Sequence, residues 1–243
     1  GKSVTSVNLA LANGTGAASN YSINSFTAEI TGRPVTISGS RLYDSTTTAD
    51  SSILTITSGV SGENLTLTGS GILGAASAGS QTITNNNTLA LADGTGLASN
   101  YTLTGATINV TIDPRTLNVT LSREYDGTTT VSGASLTPTF DSLQGGETLA
   151  LSGTGSFASA DVGSSKAVTL GTIVLAAGSG NPSNYTLNSA SMDVTQRVIN
   201  LDGIRAYDAT TDVLSSDINT FGNIVSGETL TVSGTGSVPT NSV

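Results

Sequence analysis

Three short stretches combine a guanidinium, a phenol and a carboxylate within four residues: "RLYD" at Arg41, "REYD" at Arg123 and "RAYD" at Arg205. Their tyrosines, Tyr43, Tyr125 and Tyr207, stand 82 residues apart, as do Asp44, Asp126 and Asp208. A second arginine precedes each by eight residues: Arg33, Arg115 and Arg197. Even spacing along an extended strand puts side chains on one face. Each arginine pair and its tyrosine therefore share a face. Such a set can hold an anion or a glycan. It can equally be internal, with an arginine paired to a carboxylate and its stem laid over apolar surface.

Two further phrases recur with these. Gly-Glu supplies Glu63, Glu147 and Glu228, each followed by an alternating strand such as "LALSGTG". Asn-Tyr supplies Asn20 and Tyr21, Asn100 and Tyr101, and Asn184 and Tyr185. Three tyrosines thus follow an arginine strand and three follow an asparagine, and these are all six in the chain. Each lies beside a turn signal and an apolar alternation, so the rings are expected in cores; Tyr125 and Tyr185 in particular should be buried. Glu147 is the expected partner of Arg115 and Arg123. The aspartate after each tyrosine is expected to cap backbone N–H groups of a turn. The next residue is Ser45, Gly127 or Ala209. A demand for positive φ would disfavour alanine, so an ordinary turn is expected there.

The 82-residue interval defines the organisation. Residues 33–114 and 115–196 are complete repeats. Residues 1–32 read as the late part of a preceding repeat, and 197–243 as the early part of a following one. Within 115–196, seven runs favour strands: Thr116–Leu121, Thr129–Val131, Leu136–Phe140, Thr148–Ser152, Gly155–Phe157, Ala167–Leu175 and Tyr185–Val194. Gly, Asn, Asp or Ser separates them. No stretch shows a helical apolar period. The pattern predicts an all-β chain of small immunoglobulin-like β-sandwich repeats. "TINVTIDPRTLNVTL" joins two repeats without a Gly/Ser linker, and Pro114 stiffens that joint. Stiff beads end to end make a rod. The Gly-Thr-Gly runs at Gly14–Gly16 and Gly94–Gly96 are expected to be hairpin turns.

Composition narrows the chemistry. The chain of 243 residues has no Cys and no His, 17 acidic against 8 basic residues, and a net charge of −9. Without His or Cys, and with carboxylates standing singly, no acid–base or nucleophilic constellation forms. The expectation is a non-enzyme with no cofactor. Calcium between beads is the one ion the aspartates could take, but no EF-hand loop occurs. The acidic balance argues against nucleic acid and anionic lipid. No apolar run is long enough for membrane insertion as a helix.

The phrases best kept in 115–196 are Tyr-Asp-Gly-Thr-Thr from Tyr125, Gly-Gly-Glu ending at Glu147, "GTGSFASADVGSSKAV" from Gly153 and Ser-Asn-Tyr-Thr-Leu from Ser183. Together they resemble the YDG-type repeat domain of very large bacterial surface adhesins of the filamentous-haemagglutinin kind, exported by two-partner secretion. The resemblance covers the whole chain, although Ser45 and Ala209 replace the glycine of Tyr-Asp-Gly. It implies an extracellular or cell-surface location and a stalk that projects an adhesive tip. Its partners would be further copies of the repeat in a longer chain. A self-associating matrix (biofilm) fibre, touching neighbouring filaments or matrix polysaccharide, is a second reading. A carbohydrate-binding module is a third.

Overall fold

The computed structural model describes residues 2–4 and 9–240. Gly1 and Val243, at the outer ends of the two expected part-repeats, lie outside the described residues, as do residues 5–8, 241 and 242. The chain is all-β. Among the described residues its helical pieces are single 3-10 turns of three residues. It divides into two compact units.

Unit 1 is Gly1–Leu42 with Thr46–Asp113. It opens with a small ladder of β1 (Lys2–Ser3) and β2 (Thr27–Ala28). The repeat then runs through β3 (Arg33–Leu42), β4 (Thr48–Asp50), β5 (Leu54–Thr57), β6 (Leu65–Thr68), β7 (Ser70–Leu73), β8 (Gly79–Gln81), β9 (Ile83–Asn85), β10 (Ala90–Asp93) and β11 (Tyr101–Asp113). They form sheets of order β5-β3-β11-β8 and β4-β7-β9, and a β6–β10 ladder. Val35, Ile37, Leu65, Leu89, Tyr101 and Ile108 make the core.

Unit 2 is Tyr43–Ser45 with Pro114–Val243. Its complete repeat contains β12 (Arg115–Glu124), β13 (Thr130–Ser132), β14 (Thr139–Phe140), β15 (Leu149–Ser152), β16 (Thr154–Phe157), β17 (Gly163–Thr169), β18 (Val174–Ala177) and β19 (Tyr185–Thr195). A six-stranded sheet has the order β13-β16-β17-β19-β12-β14, and β15 pairs with β18. In β12 buried and exposed residues alternate, so Leu117, Val119 and Leu121 point inward. Val119 and Leu121 cluster with Met192 and Val194 of β19, Phe157 of β16 and Leu151 of β15. Each such aliphatic side chain contributes about 1.5–3 kcal/mol by burial.

Two features differ from the sequence expectation, and one, the strand pairing, is added by the structure. The run Ala167–Leu175 is two strands, parted at Gly171, whose φ of 56° no branched residue adopts cheaply. The first and last strands of each complete repeat are parallel neighbours: β3 with β11, and β12 with β19 from Arg115↔Tyr185 to Glu124↔Thr195. The chain therefore enters a repeat at one end of this pair and leaves at the other. Lastly, Gly94–Gly96 is not a hairpin turn: it links β10, paired with β6, to β11 in a different sheet.

After β19, unit 2 continues with β20 (Asn200–Gly203), β21 (Asp212–Leu214), β22 (Ile218–Gly222) and β23 (Thr235–Ser237). β20 pairs with β22 and β21 with β23, as β12 pairs with β14 and β13 with β16. The segment matching β15, Leu230–Ser233, is not a strand and has no strand partner among the described residues.

Candidate functional site

Glu147 is the centre of the best-defined polar cluster. It stands before β15, its backbone N–H donating to Gln144. Two phenols close on its carboxylate: Tyr43 donates to Oε1 and Tyr185 to Oε2, each at 2.6 Å. The rings meet edge to face at 5.3 Å and 78°. Such aromatic pairs add about 0.5–1.5 kcal/mol beyond burial. Tyr43 is 3% exposed and Tyr185 5%. The Gln144 N–H also donates to the Tyr185 hydroxyl at 3.1 Å. Burial, then the hydrogen bond to Glu147, pushes the Tyr43 phenol up to about 12. The same two causes raise Tyr185.

The Gly-x-Gly run supplies the room. A Cβ at Gly180 would lie 2.9 Å from Glu147 Oε2, and one at Gly178 would lie 2.4 Å from the Thr148 carbonyl oxygen. Tyr185 begins β19 directly after the 3-10 turn Pro182–Asn184, and Asn184 is buried. The role of Gly-x-Gly was legible only as a fixed distance of five residues from glycine to tyrosine, at Gly16–Tyr21, Gly96–Tyr101 and Gly180–Tyr185.

The arrangement recurs. In unit 1 Tyr101 donates to Glu63 Oε2, and a Cβ at Gly96 would lie 2.8 Å from that oxygen. Later in unit 2 Tyr125 donates to Glu228 Oε1. These hydrogen bonds are the leading cause raising both phenols. Tyr125 is only half-buried, contrary to the burial expected from its sequence context, because no second aromatic ring covers it among the described residues.

The arginines do not hold Glu147, contrary to expectation. Arg115 Nε instead donates to the Tyr43 carbonyl oxygen at 2.9 Å. Arg197 acts likewise on the Tyr125 carbonyl at 3.3 Å, and also ion-pairs with Glu124 at 3.6 Å. These guanidiniums fix tyrosine backbone while the phenols take the carboxylates. The second arginine of each set brackets its turn. Arg123 donates to the Thr130 carbonyl at 2.7 Å and to that of Thr128, ion-pairs with Asp126 at 3.1 Å, and stacks 5.0 Å from the Phe157 ring centroid. Arg205 pairs with Asp208 and donates to Thr210, and Arg41 donates to the Thr46 carbonyl. The face that Arg115 and Arg123 share is thus the inward one, and there their guanidiniums are bonded to backbone carbonyls.

The aspartates cap as their type suggests. Asp126 Oδ1 accepts from the Thr128 backbone and hydroxyl, and Asp208 Oδ1 from those of Thr210. The Thr210 N–H, followed by the Arg205 guanidinium, holds Asp208 down at about 2. Asp44 belongs to the corresponding turn of Tyr43–Ser45. The next position is not ordinary turn geometry: Ser45, Gly127 and Ala209 have φ of 64°, 74° and 65°. Cap and arginine together over-determine a left-handed residue, so even alanine is held there.

The remaining positions are less enclosed. Arg33 is exposed and finds no hydrogen-bond acceptor among the described residues. Asn20 and Asn100 each end a 3-10 turn before their tyrosines. Tyr21 is 70% exposed and Tyr207 66%. No group of three or more acidic side chains that could hold a metal occurs among the described residues.

A repeated all-β unit whose Tyr-Asp turns at Tyr43 and Tyr125 are each seated on a glutamate defines the class. The YDG domain model matches residues 28–110 and 109–192, and the chain belongs to the YDG domain family. No curated protein and no solved structure matches it.

Proposed function

We propose that this chain is a length-setting element, a run of stalk repeats from a bacterial extracellular adhesin that holds a binding tip away from the cell surface. The observation that carries the reading is the parallel pairing of β12 with β19. Entry and exit lie at opposite ends of the repeat, so each added copy advances the chain instead of folding it back. Within unit 2 the Tyr125 turn of one repeat reaches Glu228 of the next, and Arg197 ties the joint. A joint held by a phenol on a carboxylate and a guanidinium on a backbone carbonyl resists bending without a disulfide. In the complete repeat 115–196 Arg115, Arg123, Asp126 and Tyr185 are engaged in turns and joints, which fits a structural role and a sandwich-like bead in a rod.

The test is small-angle X-ray scattering on chains with two, three and four complete repeats. The maximum dimension should grow by a constant few tens of Å per repeat, given about 3.3 Å per strand residue. Growth as for a compact globule would sink the stalk reading.

A further inference from the structure

Strand β19 carries a bulge where it meets β12. The pairing runs Arg115↔Tyr185, Thr116↔Thr186 and Leu117↔Leu187, then resumes at Asn118↔Ser189, so Asn188 has no position opposite it. A bulge re-aims side chains. Here two successive residues, Asn188 and Ser189, are both exposed, and both donate to Asn118 Oδ1, at 3.0 and 2.7 Å. From the other side Asp141, directly after β14, accepts the Asn118 backbone N–H on Oδ1 at 3.1 Å and its Nδ2 on Oδ2 at 2.7 Å. Side chains from β19 and from the end of β14 thus lock one amide on the outer face of β12.

The repeat folds without this lock. Val119↔Phe140 corresponds to Ile37↔Ile56 in unit 1, and the next pair there is Thr36↔Thr57. Two threonines therefore stand where Asn118 and Asp141 stand. Later in unit 2 Asn200 recurs at the same place, but opposite Gly222. Asn118 with Asp141 is an addition of the repeat 115–196.

The locked amide and Asp141 line a cavity of about 320 Å³ together with Thr139 and Ser189. Thr120 and Ser191, hydroxyl to hydroxyl at 3.3 Å, continue the polar lining, and Val119 and Phe140 give an apolar side. Asn118 Nδ2 keeps a second N–H and Asp141 Oδ2 a further lone pair. Hydrogen bonds from Asn118 hold the Asp141 carboxyl below the usual range, so it is ionised at neutral pH. No Lys or Arg lines the cavity, and Asp141 repels an anion. Neutral hydroxyls suit the lining best, because each both donates and accepts.

We propose that this cavity binds one unit of a neutral saccharide, with one ring hydroxyl donating to Asp141 Oδ2, a neighbouring one accepting from Asn118 Nδ2, and the C–H face of the ring against Phe140. Side chains already fixed by one another lower the ordering cost of binding. The site goes beyond the stalk reading and does not rest on it.

The test is nuclear magnetic resonance titration of the full chain with glucose, galactose, mannose and N-acetylglucosamine. A shallow cavity taking a single sugar should bind in the millimolar range. At least one of these sugars should give saturable shifts in the side-chain amide of Asn118 and in the backbone N–H groups of Thr139 and Ser189. The uronic acid of the same sugar should bind at least tenfold more weakly, because its carboxylate meets Asp141. Asn118→Thr/Asp141→Thr installs the pair that unit 1 carries, so native circular dichroism should persist while affinity falls at least tenfold. Asn188→Ala, at an exposed site, removes only a donor to Asn118 Oδ1 and should weaken binding as well. No saturable shift with any of the four sugars, shifts confined to other residues, equal affinity for the uronic acid, or affinity unchanged in both variants would each overturn the proposal.

Discussion

The Tyr43 hydroxyl donates to Glu147 Oε1 across 2.6 Å, although 104 residues of chain separate them. Tyr43 lies on the phrase that ends one repeat's first strand, and Glu147 lies on the Gly-Glu of the next. The phenol is inseparable from that carboxylate: its ring is covered by Tyr185, and its carbonyl is held by Arg115.

Tyr43→Ala should therefore cost about 3–5 kcal/mol, the range for removing a buried aromatic. Tyr125→Ala should cost clearly less, because its ring is half-buried. Chemical denaturation followed by circular dichroism ranks the two. Equal midpoints would contradict the assigned burial.

Alkali should loosen the same cluster. Tyr43 titrates near 10 when unfolded and about 12 when folded. A raised folded pKa means its contribution is complete below pH 10 and is lost as pH rises toward 12. The denaturation midpoint should fall over that window, together with the phenolate absorbance change. In Tyr43→Phe the fall should be smaller. A midpoint flat from pH 10 to 12 would refute the buried phenol.

The left-handed turn position gives a gain. Ala209 has φ of 65°, a conformation that costs an L-residue about 1–2 kcal/mol and glycine little. Ala209→Gly should raise stability by about 0.5–1 kcal/mol after the entropy of glycine is set against it. Thermal unfolding reads this directly, and a lower midpoint would show that the backbone there is unstrained.

Gly180→Ala should be harmful for the opposite reason. Its Cβ would meet Glu147 Oε2 at 2.9 Å, displacing the acceptor of Tyr185. About 1–3 kcal/mol of destabilisation is expected from such overpacking. Near-ultraviolet circular dichroism should show the tyrosine pair disturbed.

The sequence by itself determined the repeat, its 82-residue interval, the all-β class and the strand alternation, because these are local: a period of two sorts Leu117, Val119 and Leu121 inward whatever surrounds them. It also determined that Asp126 and Asp208 cap their own turns, since donor and acceptor are two residues apart. What it left open was partnership over distance. Opposite charge pointed from Arg115 to Glu147, but the carboxylate went to two phenols and the guanidinium to a carbonyl. Only the tertiary structure decided this: the parallel pairing of β12 and β19 puts Arg115 opposite Tyr185 and brings Tyr185 to Glu147. It likewise decided the positive φ of Ser45 and Ala209. The residue type disfavours that conformation, and it is held by an arginine and an aspartate whose combined grip exists only once the strand has been placed.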